Sequence, residues 1–274
     1  MSVKRPAIRY HGGKWKLAPH IIRHFPDHRV YTEAFGGGAS VLLRKPRTYA
    51  EIYNDLDGEL VNLFRVLRDD GDRLTNLLEL TPFTREEFEV SHEPSDDPIE
   101  TARRTVIRSF MGFGSSAIHK PSGFRACSNR SGTTPAHDWV NYPKNLKALI
   151  ERLQGVTIEN RQAIAMIRQH DAPESLHYVD PPYVHSTRTN GASTSVEQYR
   201  HEMTDEQHRE LAEVLHGVKG MVALSGYPSP LYEELYGDWP TIQINAFADG
   251  ARPRIEQLWL SPNCQKHDLL RGIE

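Results

Sequence analysis

Residues 176–183 read Leu176-His177-Tyr178-Val179-Asp180-Pro181-Pro182-Tyr183. The first four side chains are typical of a buried strand, and the prolines end it because proline fixes φ and lacks a backbone N–H. The residue before a proline is also restricted, so the Asp180 carboxylate and the Tyr183 ring are held rigidly where the strand ends. Ligands of open α/β sheets bind at the carboxyl ends of the strands. The stretch therefore predicts an α/β fold with a functional site at this turn.

Six further stretches read as strands, and helical patterns separate most of them. The strands centre on residues 30–35, 49–54, 156–160, 221–225, 241–247 and 255–260. Helices are predicted from the apolar repeat between Trp15 and Phe25 and from the capping-box pair Thr204 and Gln207. This alternation predicts a mostly parallel sheet covered on both faces. The last two strands are joined without a helix, so an antiparallel hairpin is expected there.

A connection of about a hundred residues, too long for a simple loop, separates the second strand from the third. Residues 69–100 hold eleven acidic residues and two arginines, whereas residues 101–147 hold eight basic residues and one aspartate. We interpret residues 59–150 as an inserted, mainly helical module in a sheet domain formed by residues 1–58 and 151–274. A basic stretch on a mildly acidic protein suits a polyanion, although solvated surface charge explains it equally well.

Two motifs favour a nucleoside-containing cofactor at the same sheet edge as Asp180. The first predicted strand runs into the turn Glu33-Ala34-Phe35-Gly36-Gly37-Gly38, where glycines let a ligand approach the backbone. The second ends in Asn54-Asp55-Leu56-Asp57. An acidic residue there can bind both ribose hydroxyls, and we assign this role to Asp55. Asp57 is better placed to cap the following helix.

A third glycine motif lies near the N-terminus, in the run Tyr10-His11-Gly12-Gly13-Lys14. Gly12 and Gly13 let the backbone pass close to a ligand. Tyr10 can pack on that ligand, and Lys14 can meet a carboxylate at the start of the first helix.

Composition narrows the class of protein. Hydrophobic residues make up 38% of the 274 residues, which suffices for a buried core. Cys127 and Cys264 have no disulfide or metal spacing and are expected to be free thiols in a reducing cytoplasm. The histidines offer no convincing metal-binding set. The polar N-terminus and the lack of long apolar runs predict neither a signal peptide nor a membrane span.

The turn after Val179 is suited to chemistry on an amine. An exocyclic amine conjugated to a base ring is a poor nucleophile. A carboxylate and a proline carbonyl can accept hydrogen bonds from its two N–H groups and so favour a pyramidal nitrogen, whose lone pair can attack. Positioning and electrostatics then carry most of the rate. The ring of Tyr183 can stack on a base extruded from a duplex.

Taken together, these motifs resemble the Dam-type family of DNA adenine-N6 methyltransferases. The resemblance covers nearly the whole chain. It extends from the Gly-Gly-Lys run through Asp180-Pro-Pro-Tyr183 to three later runs: Met203-Thr-Asp-Glu-Gln-His208, Leu224-Ser225-Gly226-Tyr227 and Glu256-Gln-Leu-Trp259. It implies a seven-stranded, Rossmann-like methyltransferase sheet with an inserted target-recognition module. It also implies that a methyl group passes from S-adenosyl-L-methionine to N6 of an adenine flipped out of double-stranded DNA, by a monomer in the cytoplasm.

The resemblance also assigns site residues. It implies catalytic roles for Asp180, Pro181, Pro182 and Tyr183. The cofactor contacts it implies are Tyr10, Lys14, Glu33, Phe35, Gly36, Gly38, Asp55, Gln162 and Asp180. Gln162 stands where relatives often have an aspartate near the adenine of the cofactor. Candidate DNA contacts in the basic stretch are Arg103, Arg104, Arg108, Lys120, Arg125 and Arg130.

Three alternatives remain at the level of the sequence. Cytosine-N4 methylation uses the same geometry, and a catalytically impaired DNA-binding homologue would keep the fold. A nicotinamide-dependent oxidoreductase would not need Asp180-Pro-Pro-Tyr183. Cytosine-C5 methylation requires a cysteine nucleophile, and neither Cys127 nor Cys264 follows a proline in a loop after a strand.

Overall fold

One mixed sheet organises the computed structural model, which describes residues 2–120, 122–126, 132–184, 187, 200–247 and 253–265. Its strands within those ranges are β1 (Val30–Glu33), β2 (Ala50–Asn54), β3 (Val156–Glu159), β4 (Ser175–Val179), β5 (Met221–Gly226), β6 (Thr241–Phe247) and β7 (Pro253–Leu260). Their order across the sheet is β3-β2-β1-β4-β5-β7-β6. The first five are parallel, and β7 runs antiparallel between β5 and β6. The predicted seven-stranded sheet with an antiparallel C-terminal hairpin is therefore confirmed.

Both faces of the sheet are covered, as the continuous apolar strands require. Along β4, Leu176 and Tyr178 pack into one core, whereas Val179 packs into the core on the opposite face. Three helices contribute to the second core: α9 (Ala163–His170), α10 (Asp205–Gly217) and α11 (Pro230–Tyr236). The capping box of Thr204 and Gln207 starts α10, which confirms that prediction.

Two short helices precede and follow β1. They are α1 (Ala18–Ile22) and α2 (Ser40–Arg44). Helix α1 is shorter than the repeat from Trp15 to Phe25 predicts. Leu17 and Ala18 both donate their backbone N–H groups to the carbonyl of Lys14 in a turn, so the first residues of the repeat precede the helix.

The long connection is mainly helical in its described part. It forms α3 (Gly58–Asp69), α4 (Gly71–Leu80), α5 (Arg85–Val90), α6 (Pro98–Met111), α7 (Pro135–Asn141) and α8 (Leu146–Leu153), with a 3₁₀ turn at Pro143–Asn145. Helices α3, α6 and α8 share one hydrophobic core with the sheet, through side chains that include Leu60, Phe64 and Leu149. The inserted segment is thus anchored on the sheet, and its role in target recognition stays a prediction.

Two predictions concern residues outside the described ranges, the free thiol of Cys127 and the DNA contact of Arg130. Cys264 is a buried free thiol. Within the described ranges, every helix is too short or too polar to cross a lipid bilayer.

Candidate active site

A cavity of about 300 Å³ opens at the carboxyl ends of β1, β2 and β4. This is the edge at which α/β sheets bind ligands. The structure brings all the predicted cofactor contacts into its lining, from five separate parts of the chain. The lining comprises Tyr10 to Lys14, Glu33 to Gly38, Ser40 and Val41, Asp55 to Asp57, Gln162 to Ile164, Tyr178, Asp180, Pro182, Arg200 to Met203, Gln207, Glu210 and Leu211.

The glycine turn after β1 is shaped by two tyrosine rings. A Cβ atom on Gly36 would lie 2.2 Å from Cε2 of Tyr53, and one on Gly37 would lie 2.7 Å from Cε1 of Tyr10. Gly37 also has a φ of 47°, in the left-handed region that favours glycine. The glycines therefore serve the packing of Tyr10 and Tyr53 as well as the access of a ligand, which is the only role that sequence reasoning gave them.

Asp55 holds the glycine turn to the end of β2. Its Oδ2 accepts the N–H of Gly37 at 2.8 Å, and its Oδ1 accepts the N–H of Asp57 at 2.8 Å. Burial raises the pKa of Asp55 to about 6, against the lowering effect of these backbone N–H groups. Each carboxylate oxygen has two lone pairs, so the Asp55 side chain can still accept hydrogen bonds from a ligand in the cavity.

Asp57 has a different role from Asp55, as the sequence predicts. Its Oδ1 accepts the N–H of Glu59 at 2.9 Å and caps α3. It also contacts Arg200, whose Nη1 lies 3.1 Å from Oδ1, and His119, whose Nδ1 lies 3.4 Å from Oδ2. Asp57 therefore ties the cavity wall to both the inserted segment and the chain that precedes α10.

Asp180 lies at the end of β4 in a buried cluster of charged and polar groups. Its Oδ2 is 2.8 Å from Nζ of Lys14, and its Oδ1 lies 3.4 Å from the hydroxyl oxygen of Tyr183. The same Nζ lies 3.3 Å from Oε1 of Glu256 and donates to the carbonyl of Gly12 at 3.1 Å. Burial raises the pKa of Asp180 to about 6, opposed by Lys14 and reinforced by Glu256.

Tyr183 is packed behind the cavity. Its hydroxyl donates a short hydrogen bond to Oε1 of Glu256, and its ring meets that of Tyr227 edge to face at 4.5 Å between centroids. The ammonium of Lys14 lies 4.9 Å from the centroid of the Tyr183 ring, within the range of a cation–π contact. A base that stacks on this ring would have to displace Lys14.

Sequence reasoning assigned no role to Glu256. It is 3% exposed and lies on β7, which the sequence places more than seventy residues after Asp180. The sequence signal for Glu256 is a carboxylate in a predicted strand, two residues before Leu258 and three before Trp259. The structure buries both of these residues in the core. Buried carboxylates are rarely left unpaired.

Glu33 and Gln162 both line the cavity. Glu33 is buried, and its Oε2 accepts the hydroxyl of Tyr31 at 3.0 Å and the N–H of Leu42 at 2.7 Å. Burial raises the pKa of Glu33 to about 8, so the group is largely protonated at neutral pH. Gln162 precedes α9 and lines the cavity beside Ile164, where an amide can donate and accept.

Three of the candidate DNA contacts lie in ion pairs within the inserted segment. Arg103 is bonded to Glu87 and Glu100, and Arg104 is bonded to Glu100. Arg108 is 7% exposed, bonded to Glu59 and to the carbonyl of Ser91. The acidic and basic stretches thus partly neutralise each other. DNA binding by these three arginines stays a prediction, which their engagement with carboxylates disfavours.

Two other candidates are more accessible. Lys120 is half-buried in the loop after α6, and Nη2 of Arg125 lies 3.7 Å from Asp138. The same loop carries Phe113, which is 65% exposed and was not anticipated as a candidate. Gly112 and Phe124 form an antiparallel bridge that pins the two ends of this loop together.

Comparisons with known proteins identify the family of the chain. The model of the D12 class N6 adenine-specific DNA methyltransferases matches residues 10–247. A Type II methyltransferase of Lactococcus lactis subsp. cremoris, M1.LlaDCHI, is 28% identical over 88% of each chain. The DNA adenine methylase of Escherichia coli K12 is 25% identical over 86% of this chain and 85% of its own. The Type II methyltransferase M.MjaIII of Methanocaldococcus jannaschii is 24% identical over 73% and 75%.

The family match runs from Tyr10 to Phe247 and so includes every part of the cavity lining. It favours adenine N6 over cytosine N4 as the methylated position, which sequence motifs alone left open. S-adenosylmethionine is the methyl donor of this family, and DNA is its substrate. The chain belongs to the D12 class of N6 adenine-specific DNA methyltransferases.

Proposed function

We propose that Asp180 and the Pro181-Pro182 turn hold the N6 amino group of a flipped adenine, in a cavity that also holds S-adenosylmethionine. The observation that carries the proposal is the position of Lys14. Its ammonium donates to Oδ2 of Asp180 at the cavity edge, so a nitrogen with N–H bonds already lies where the target amine would be held.

The residues that line the cavity fit the ribose and the adenine ring of S-adenosylmethionine. Asp55, at the end of β2, suits the ribose hydroxyls, and the apolar side chains of Phe35 and Ile164 suit the adenine ring. Gln162 offers an amide to the edge of that ring. S-adenosylmethionine supplies an electrophilic methyl group when it is bound there.

The chain's own residues position the amine and manage its charge. In the transfer, the N6 lone pair would form the new N–C bond as the methyl–sulfur bond of the donor breaks and leaves a neutral thioether. The nitrogen takes over the positive charge of the sulfonium and must lose one proton. When Asp180 is ionised, it stabilises that charge and accepts a hydrogen bond from the N–H group of the amine. Because burial raises the pKa of Asp180 to about 6, the carboxylate is available at neutral pH and remains basic enough to take up a proton.

Access to Asp180 requires extrusion of the base. An adenine stacked in a duplex cannot reach a carboxylate that lines a protein cavity, so the target nucleotide is rotated out of the helix. The ring of Tyr183 is the stacking surface, once Lys14 has moved from its face.

We further propose that residues 59–150 recognise the target sequence, within a catalytic domain formed by residues 1–58 and 151–274. The loop after α6 supports this assignment because Phe113 and Lys120 lie close in sequence to His119, which contacts Asp57 in the cavity wall. We also propose that the enzyme acts as a monomer on double-stranded DNA in the cytoplasm.

The role of Asp180 is tested by the Asp180→Ala variant. We expect its single-turnover methyl transfer to fall by about a hundredfold or more, because the amine loses its charged acceptor. Binding of S-adenosylmethionine and the thermal unfolding temperature, measured on the same sample, report whether the cavity persists. Transfer at the wild-type rate would remove Asp180 from the mechanism.

A further inference from the structure

A carboxylate beyond the cavity contacts two of the residues around Asp180. Glu256 lies on β7, two strands from β4, and its side chain is buried. Its Oε1 accepts the hydroxyl of Tyr183 and lies 3.3 Å from Nζ of Lys14. Because Glu256 is outside the cavity lining, it contacts the site only through Lys14 and Tyr183, and its charge acts on Asp180 through space.

The free protein presents a conflict at Asp180. Oδ2 of Asp180 is occupied by the ammonium of Lys14 at 2.8 Å, yet a target amine needs an oxygen of the same carboxylate. Lys14 is itself 5% exposed, and a buried ammonium that loses its carboxylate is strongly destabilised. Glu256 and the carbonyl of Gly12 already contact the same ammonium, so both can hold it when Asp180 engages the base.

The balance of charge leads to the same residue. With both carboxylates ionised, Asp180, Glu256 and Lys14 together carry a net charge of −1, and the positive charge of the sulfonium donor moves onto the amine beside them during transfer. Glu33 adds no full charge at neutral pH, because burial raises its pKa to about 8. The carboxylate of Glu256 is thus the group that leaves the cluster neutral when the amine is charged.

We propose that Glu256 is a positioning residue that takes over the ammonium of Lys14, holds the Tyr183 ring and supplies the negative charge that balances the reacting amine. This inference rests on the proposed role of Asp180. Glu256 lines no part of the cavity and acts through its two contacts and through its charge.

The pH dependence of transfer separates this role from a merely structural one. The acid limb is the part of the pH profile in which the rate falls as Asp180 becomes protonated. Glu256 raises the pKa of Asp180, so the removal of Glu256 lowers that pKa and moves the acid limb to lower pH. Other groups that face Asp180 are retained in the variant. They are Lys14, Glu33 on β1, Tyr178 on β4, Tyr183 and Tyr232 on α11.

The test compares Glu256→Gln with wild type in single-turnover transfer to duplex DNA between pH 5 and 9, at saturating S-adenosylmethionine. We expect the plateau rate to fall at least about tenfold and the acid limb to move down by about one pH unit. The dissociation constant of S-adenosylmethionine should change less than about threefold, because the cavity lining is intact. A plateau within about twofold of wild type, or an unmoved limb, overturns the proposal.

Two further variants complete the design. Glu174→Gln makes the same substitution at an exposed position just before β4, at the opposite end of the strand from Asp180, and should leave rate and limb unchanged. Glu256→Asp keeps the charge and should keep the acid limb at the wild-type pH while lowering the plateau. A limb displaced downward in Glu256→Asp contradicts the proposal even if Glu256→Gln fails to fold.

Comparison of Asp180→Ala with Glu256→Gln separates a failure of the proposed role of Asp180 from a failure of the inference about Glu256. If Asp180→Ala transfers methyl groups normally, the proposed function fails whatever Glu256 does. If Asp180→Ala is inactive and Glu256→Gln resembles wild type, only the inference about Glu256 fails.

Discussion

Nζ of Lys14 lies 2.8 Å from Oδ2 of Asp180, although the two residues belong to segments 166 positions apart in the sequence. The contact joins the N-terminal glycine motif to the turn after β4. It also fixes the sign of the electrostatics at the site, because the ammonium lowers the pKa of Asp180 while burial and Glu256 raise it. This arrangement determines the direction in which each substitution moves the pH dependence of methyl transfer.

The wild-type enzyme should lose single-turnover activity as the pH falls through about 6. Asp180 must be ionised to accept the N–H of the target amine, and burial raises its pKa to about 6. Rate measurements with rapid quenching across pH 5 to 9 test this expectation. A rate that stays constant down to pH 5 would show that ionisation of Asp180 does not limit transfer.

Lys14→Met should move the acid limb in the opposite direction from Glu256→Gln. Removal of the ammonium takes away the group that most lowers the pKa of Asp180, so protonation begins at higher pH. We expect a shift of about one pH unit upward, together with weaker transfer at neutral pH. The same pH series measures it, with Lys16→Met, at an exposed position two residues away, as the matched control. A limb displaced downward would contradict the charge assignment.

Gly36→Ala should destabilise the fold and weaken cofactor binding together. The added Cβ would lie 2.2 Å from the ring of Tyr53, which is buried and bonded through its hydroxyl to the carbonyl of Gly37. Overpacking of this kind costs about 1 to 3 kcal/mol. Urea unfolding and isothermal titration with S-adenosylmethionine provide the two measurements.

The control for Gly36→Ala is Gly217→Ala, at the end of α10, where an added Cβ would meet no atom within 4 Å. Equal stability of the two alanine variants would show that the Tyr53 ring moves aside at little cost.

Arg108→Ala should reduce stability more than DNA affinity. The guanidinium is buried and bonded to Glu59 and to the carbonyl of Ser91. Removing one partner of a buried ion pair costs about 3 to 5 kcal/mol, and the partial exposure of Glu59 places the cost at the low end of that range. Phe113→Ala and Lys120→Ala alter the loop after α6 and should show the reverse pattern. Fluorescence anisotropy with a labelled duplex measures DNA affinity, and a large loss confined to Arg108→Ala would place DNA on the buried arginine instead.

Much of the fold follows from local patterns. The strand stretches are short, apolar and separated by helices, and the capping residues Asp57 and Thr204 mark two helix starts correctly. Strand ends that carry Glu33, Asp55 and Asp180 had to meet at one edge once the sheet was parallel. Sequence reasoning therefore located the cavity.

The remaining features depend on contacts between distant segments. Glu256 reaches Lys14 only because β7 is inserted between β5 and β6, an order that no local pattern specifies. The arginines of α6 look like a basic surface in the sequence, but α5 and the start of α6 supply Glu87 and Glu100 to them. Tyr10 and Tyr53 similarly explain Gly36 and Gly37 only after folding.

The central claim is that this chain methylates N6 of adenine in DNA and that Asp180 holds the amino group during the transfer. The most direct measurement is the identity of the methylated nucleoside after incubation with labelled S-adenosylmethionine and unmethylated duplex DNA. Wild type should yield N6-methyl-2′-deoxyadenosine in the nucleoside digest of the DNA, and Asp180→Ala should yield none above background. Label in N4-methylcytosine, or equal label from both proteins, would contradict the account.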